Sequence, residues 1–402
     1  MQLHTRMAGR DPAQSHRSAT PLELFFDLTF VVAVAQAAEG LHHGLVDGHA
    51  AEAMLGFPLV FFGIWWAWMN FTWFASAYDT DDAVYRLATL VQITGVLIVA
   101  AGVPRALDGH DFGIMTLGYV TMRLAMVGQW LRAAASHPDG RPCALRYAGG
   151  ITALQIGWVL RLALPDGAGE VGFVVLMALE MAVPLWAESA GRTLWHPGHI
   201  AERYGLFTLI VLGESVLAST IAVQVALDGT TAFSEVAPVV VGGILTVFFM
   251  WWMYFDMPAE QAVGRIRNAL VERPSGPFLW GYGHYVVFAS AAAVGAGLAV
   301  AVDQATHHSK LSDTQAGFAI TAPVAIFVTA VWALHFRHKV PGPMRNFAAP
   351  VAAALILASS FTPVPVLATG LLGATLVAAA VISHCFDPAE PEAASVAAGR
   401  RD

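Results

Sequence analysis

Charge is scarce in this sequence. Asp, Glu, Lys and Arg make up 12% of its 402 residues, against about 25% in a soluble domain, which excludes a soluble fold. Cysteine is scarcer still. Cys143 and Cys385 are the only two and stand far apart, so no disulfide framework holds the chain. There is no Walker A sequence, no Gly-rich nucleotide loop and no GxSxG, which removes nucleotide-driven and serine-hydrolase chemistry. No basic surface for nucleic acid is present, and although Glu23, Asp27 and His284 could together hold a divalent cation, no HxxxH pair supports a metal site, so neither metal nor cofactor is expected. A cleavable signal is also missing, because the first twenty residues are polar and the first apolar run is long.

What the chain has is apolar length. Hydrophobic residues reach 56%, and membrane-length segments fall near 21–42, 53–77, 84–104, 112–132, 143–163, 170–189, 200–226, 234–256, 278–302, 314–335, 345–361 and 364–384. Each approaches the ~20 residues needed to cross ~30 Å of hydrocarbon. The expected fold is an all-α membrane protein with about twelve transmembrane helices. A polar tail expected to be disordered occupies 1–20, one six-helix half 21–190, a second 191–385, and a loose tail 386–402. The longest loop, about 257–277, is too short to hold a domain.

With the N-terminus in the cytoplasm, seventeen Lys and Arg fall in cytoplasmic segments against three, Arg105, Arg161 and Lys310, outside. That asymmetry predicts a multi-pass protein of the cell (inner) membrane with both termini cytoplasmic. The run Phe62-Gly-Ile-Trp-Trp-Ala-Trp-Met-Asn70 matches Phe248-Phe-Met-Trp-Trp-Met-Tyr-Phe-Asp256 at an offset of 186, and the first span, with Gln36, lies on the seventh, with Glu214, at 178. Six spans per half give two tandem repeats of parallel orientation.

Three stretches, PLELFFDLTFVVAVAQ from Pro21, FFGIWWAWMNFTWFASAYDTDD from Phe61 and HPGHIAERYGLFTLIVLGESVLAS from His196, resemble the bacterial low temperature requirement protein A family. The resemblance runs over about residues 20–385. It implies an integral membrane protein linked to growth in the cold, and supplies no activity, so the chemistry has to come from the residues.

Glu23 and Asp27 share a face of the first span, four residues apart, and Gln36 looks out of the opposite face. Arg123 lies near the middle of the fourth span, where a charge costs ~2.5–3.5 kcal/mol on insertion scales, so it needs an acid. Glu180, at similar depth and followed by Pro184, is the first choice; Glu214 and Asp27 are the others. Glu214, in Leu212-Gly-Glu-Ser215, is placed to act as a protonation switch. A second polar layer nearer the cytoplasm comprises Glu23, Asp27, Asn70, Gln92, Glu202, Arg203, Asp256 and His284. His196 and His199 flank Pro-Gly and read as a solvated turn. Trp65, Trp66, Trp68, Trp73, Trp251, Trp252 and Tyr254 read as an interfacial belt, or as an aromatic pocket.

Three functions fit. The leading one is a secondary transporter with one central polar site of Asp27, Arg123, Glu180 and Glu214. An intramembrane enzyme acting on a lipid or isoprenoid, with Asp27 as general acid, is the second. The third is a non-catalytic membrane protein of cold adaptation. The partners expected are membrane lipids and a small-molecule or ion substrate, with no nucleic acid, and a homo-oligomer is compatible with the sequence.

Overall fold

Helices follow one another through a computed structural model that describes residues 3–11, 14, 17–165, 167–228, 231–256, 276–336 and 343–386. They are α1 (Pro21–Val46), α2 (Ala50–Tyr78), α3 (Ala83–Asp108), α4 (Gly113–Ser136), α5 (Arg141–Arg161), α6 (Ala168–Glu188), α7 (Pro197–Asp228), α8 (Phe233–Phe255), α9 (Gly276–Ala305), α10 (Asp313–Val331), α11 (Pro343–Ala358) and α12 (Pro365–Phe386). The described residues contain no strand. Each expected segment carries a helix, and among the described residues nine helices are long and apolar enough to cross a membrane. The other three fall short for visible reasons. Arg123, Gln129 and Arg132 dilute α4, Arg141, Arg146, Gln155 and Arg161 dilute α5, and α11 has 16 residues. Most of the loop expected at 257–277, and nearly all of the tail expected at 386–402, lies outside the described residues.

The centre of the first half is α2. From Val60 to Tyr78 every residue is buried except Gly63, Asn70 and Trp73, which are half-buried. A helix apolar all round has no solvent face to offer, and α2 accordingly packs among α1, α3, α4, α7 and α9. Neighbours along the first half are α1 on α2 and α3, α3 on α4, α4 on α5 and α5 on α6. Along the second they are α7 on α8 and α9, α9 on α10, α10 on α11 and α11 on α12. The halves meet where α1 packs against α7 and α9.

Burial corrects the aromatic reading. Trp65, Trp66 and Trp68 are at most 1% exposed and belong to the interior, whereas Trp251 and Trp252 of α8 are exposed to the surroundings. The composition is alike in both runs, but only α2 is enclosed by other helices.

The N-terminal segment is likewise not a disordered tail. The described residues before α1, 3–11, 14 and 17–20, lie as a strap across one end of the bundle. Met7 and Arg17 are buried. The Arg10 amide donates to the Ala77 carbonyl at 3.1 Å, the Thr5 amide to Asp82 Oδ2 at 2.6 Å, and Arg132 Nη2 to the Thr5 carbonyl at 2.8 Å. Polarity marked this stretch as solvated, but its polar groups are matched by the ends of α2, α3 and α4 instead.

Candidate functional site

Two buried charge clusters flank α2, and its tryptophans reach into both. In the first, Glu180 of α6 is 0% and Arg123 of α4 2% exposed. Arg123 Nη2 donates to Glu180 Oε2 at 2.6 Å, and Trp66 Nε1 donates to the same oxygen at 2.9 Å. The other oxygen, Oε1, accepts from Tyr119 at 3.2 Å, Trp158 Nε1 at 3.2 Å and Gln155 Nε2 at 3.3 Å. Five donors from three helices therefore converge on one carboxylate of a fourth. Arg123 Nε and Nη1 are buried with no hydrogen-bond partner among the described residues.

The second cluster joins α1, α7 and the strap. Thr20 caps α1 and Glu23 closes the capping box, its Oε2 accepting from the Thr20 amide at 2.7 Å. Glu23 Oε1 then faces a histidine and two arginines: His199 Nε2 at 3.1 Å, Arg17 Nη2 at 3.3 Å and Arg203 Nη1 at 3.5 Å. One turn on, Asp27 Oδ1 accepts from Arg203 Nη2 at 2.5 Å and Trp68 Nε1 at 2.7 Å. Both helices begin on proline, and the acids Glu23 and Asp27 stand two and six residues past Pro21, as His199 and Arg203 stand past Pro197. Thus the first and third distinctive stretches of the sequence meet, acid against base.

Several expectations change here. Asp27, Arg123, Glu180 and Glu214 do not form one central site. Asp27 lies in the α1–α7 cluster and Arg123 with Glu180 on the other side of α2. Glu214 is half-buried, makes no hydrogen bond or ion pair among the described residues, and packs against Gly295 of α9. His199 is fully buried rather than in a solvated turn, because the Pro-Gly before it is the first turn of α7. Glu202 and Asp256 are exposed and leave the polar layer. Gln36 is half-buried and donates to Glu39 Oε2 at 3.1 Å. His284 is buried in α9, with Nδ1 2.8 Å from the Trp280 carbonyl and its ring 5.0 Å from that of Tyr204. It does not join Glu23 and Asp27, and no three His, Cys, Asp or Glu groups are set to hold a metal among the described residues.

Arg17, read from the sequence only as one of the cytoplasmic cations, ties the strap in. It donates to the carbonyls of Ser76 and, at 2.8 Å, Ala75, and lies 3.7 Å from Asp79 Oδ2. Burial pushes Asp79 up to about 6, with the charge of Glu23 adding to it, and Arg10 and Arg17 offset only part. Its folded-state pKa thus lies above the unfolded ~3.9. The stability it contributes is complete below that value and is lost as pH rises through about 6. Asp79→Asn is expected to gain on wild type by about 2–3 kcal/mol between pH 4 and 7.5, read from thermal melts in detergent. A gain that grows towards acid pH would mean that the two arginines hold Asp79 charged.

Two cavities adjoin the Glu180 cluster. One of about 410 Å³ is lined by α2, α4, α5, α6, the α6–α7 linker and the start of α9, including Asn70, Trp73, Trp130, Tyr147 and Glu188. The other, about 30 Å³, is lined by Phe62, Gly63, Phe112, Met115, Thr116, Tyr119, Trp158 and Phe173. On each of α2, α4, α5 and α6, the residue bonded to Glu180, or Glu180 itself, stands between the two linings or on the edge of the smaller one. Gly63, Trp66 and Asn70 show the order on α2, and Phe173, Glu180 and Pro184 on α6. The three half-buried positions of inner α2 all line the cavities, together with the buried Phe62, Met69 and Phe74.

Membrane-length helices enclosing buried charge define a polytopic, multi-pass α-helical membrane protein. The model of the bacterial low temperature requirement A protein (LtrA) family matches residues 18–383. The chain belongs to that family. It is 28% identical to an uncharacterized protein of Rhizobium meliloti over 298 residues, 70% of this chain and 68% of that one. It is 30% identical over 144 residues to the threonine/homoserine exporter RhtA of Escherichia coli, covering 35% of this chain and 45% of the exporter. No solved structure matches it.

Proposed function

We propose that this protein is a secondary transporter whose route runs through α2, α4, α5 and α6. The observation that carries the reading is the pair of cavities on either side of one fully engaged carboxylate, lined by the same four helices. Between Tyr119 and Trp130, which border the smaller and the larger cavity, α4 rises roughly 16 Å, about half the hydrocarbon thickness. Glu180 and Arg123 fill that gap. A zwitterion can replace both partners at once, its carboxylate on the open donors of Arg123 and its ammonium on Glu180. Such an exchange avoids leaving either charge alone in the interior. The similarity to an amino-acid exporter supports the same substrate class. Asp27, Glu23, Gln36, Asp256, His284 and Glu214 take no part in this route.

Three finer readings accompany it. The neighbour pairs α1–α2, α1–α3, α3–α4, α4–α5 and α5–α6 recur six helices on, beside an extensive α8–α12 contact not matched in the first half, and the helix starts Pro21 and Pro197 are 176 residues apart, which supports a parallel tandem repeat. The Lys and Arg distribution puts the strap and the larger cavity on the cytoplasmic side of the cell membrane, with both termini there. Loss of such transport is the defect to be sought at low temperature, the condition in the family's name.

Site-directed labelling tests the route. In a Cys143→Ser, Cys385→Ser background, Asn70→Cys is expected to react with an impermeant thiol reagent only from the cytoplasmic side. Thr116→Cys should react only from outside, and more slowly. Labelling of both positions from one side would remove the two-sided route.

A further inference from the structure

The larger cavity holds a carboxylate that the route does not use. Glu188, the last residue of α6, is half-buried in its wall. Its Oε1 accepts from Thr193 Oγ1 at 2.5 Å and from Tyr147 at 3.3 Å, and its Oε2 from the Thr193 amide at 3.0 Å. Three neutral donors thus fix its orientation. No cation is paired with it among the described residues, and Arg192, at the rim, is exposed. A partly buried carboxylate that is aimed but not neutralised is costly to keep unless something cationic visits it.

Aromatic rings surround this position. Trp130 and Tyr147 lie parallel, 4.1 Å apart with 4° between their planes. Trp73 and Trp195 meet edge to face at 4.7 Å, and Tyr282 and Phe278 complete the wall. Ring faces attract a desolvated cation, and their area suits a flat apolar body. The volume, about 410 Å³, falls in the range of small-molecule sites.

We infer that this cavity binds an organic ammonium ion carried on a flat apolar body, with the ammonium on Glu188 and the body among Trp73, Trp130, Tyr147 and Tyr282. The inference rests on the transport reading only for where the ligand goes next. Two sources share this chemistry, a simple amine and an amino acid. Arg192 separates them, since it adds a partner for a carboxylate and repels a lone amine.

Purified full-length protein in detergent, titrated with phenethylamine, 2-phenylethanol and L-phenylalanine, tests it through calorimetry and tryptophan fluorescence. Phenethylamine should bind saturably and at least about tenfold more tightly than the neutral alcohol, a comparison that needs no variant. Glu188→Gln should remove that preference, and Trp130→Leu should weaken both amines severalfold. If L-phenylalanine binds more tightly than phenethylamine and Arg192→Ala erases the difference, the ligand is an amino acid. If phenethylamine stays ahead, it is an amine. Equal binding of phenethylamine and the alcohol, or no saturable binding by any of the three, overturns the inference. Binding without flux in reconstituted vesicles leaves it standing and removes the transport reading instead.

Discussion

Arg123→Ala is expected to destabilise the protein by about 3–5 kcal/mol, and Arg123→Ala with Glu180→Gln by clearly less. The single change leaves Glu180 charged at 0% exposure with only Trp66, Tyr119, Gln155 and Trp158 donating to it. Neutral donors orient a carboxylate but do not cancel its charge in a medium of low dielectric. Glutamine at 180 keeps the length and one acceptor while removing the stranded charge. Thermal unfolding followed by tryptophan fluorescence gives both values, and Trp66 and Trp158 report locally. If the double variant is no more stable than the single, the guanidinium is held by something other than Glu180.

The second large effect lies across α1 and α7. Arg203, at 0% exposure, is 2.5 Å from Asp27 and 3.5 Å from Glu23, so Arg203→Ala strands Asp27 and removes one of three partners of Glu23. A loss of about 3–5 kcal/mol is expected again. The Asp27–Arg203 double-mutant cycle, with Asp27→Asn, should show a coupling of about 1–3 kcal/mol. His199 and Arg17 remain to hold Glu23, so Arg203→Ala combined with Asp27→Asn should refold where Arg203→Ala with Arg17→Ala does not. Additive single changes would mean that the two helices are held by their apolar contacts and that the ion pair is incidental.

The run of helices was legible because apolar length is written directly into sequence. The pairing of Arg123 with a carboxylate of similar depth was legible for a related reason: a lone charge in hydrocarbon demands a partner, and few were on offer. The donors of Trp66 and Trp68 were not. A tryptophan in a membrane helix has the same one-letter signature whether it faces headgroups or a buried acid, and only the packing of α2 decides. His199 was hidden by its Pro-Gly neighbours, which open a helix as readily as they make a turn. Arg17 was hidden in a polar stretch whose partners lie on α1 and α2. The placement of Glu214 failed for a different reason. Glu214 shares nearly the face of α7 that carries Arg203, but stands eleven residues further on, about 16 Å along the helix, and there it meets Gly295 instead of the cluster.

The strap sets an order of events during synthesis. Arg17 emerges early, yet His199 and Arg203, which complete the cluster it enters, are made some 180 residues later. At ~5–20 residues per second, the cluster around Glu23 waits on the order of 10–40 s for its last two partners. During that time Glu23 and Asp27 must enter the bilayer without their basic counterparts, so α1 cannot settle at its final depth. The strap can dock on α2, α3 and α4 before α7 is made, but the cluster it enters closes only when α7 arrives, so a bulky fusion placed ahead of Thr5 would act on biogenesis before it acted on any finished molecule.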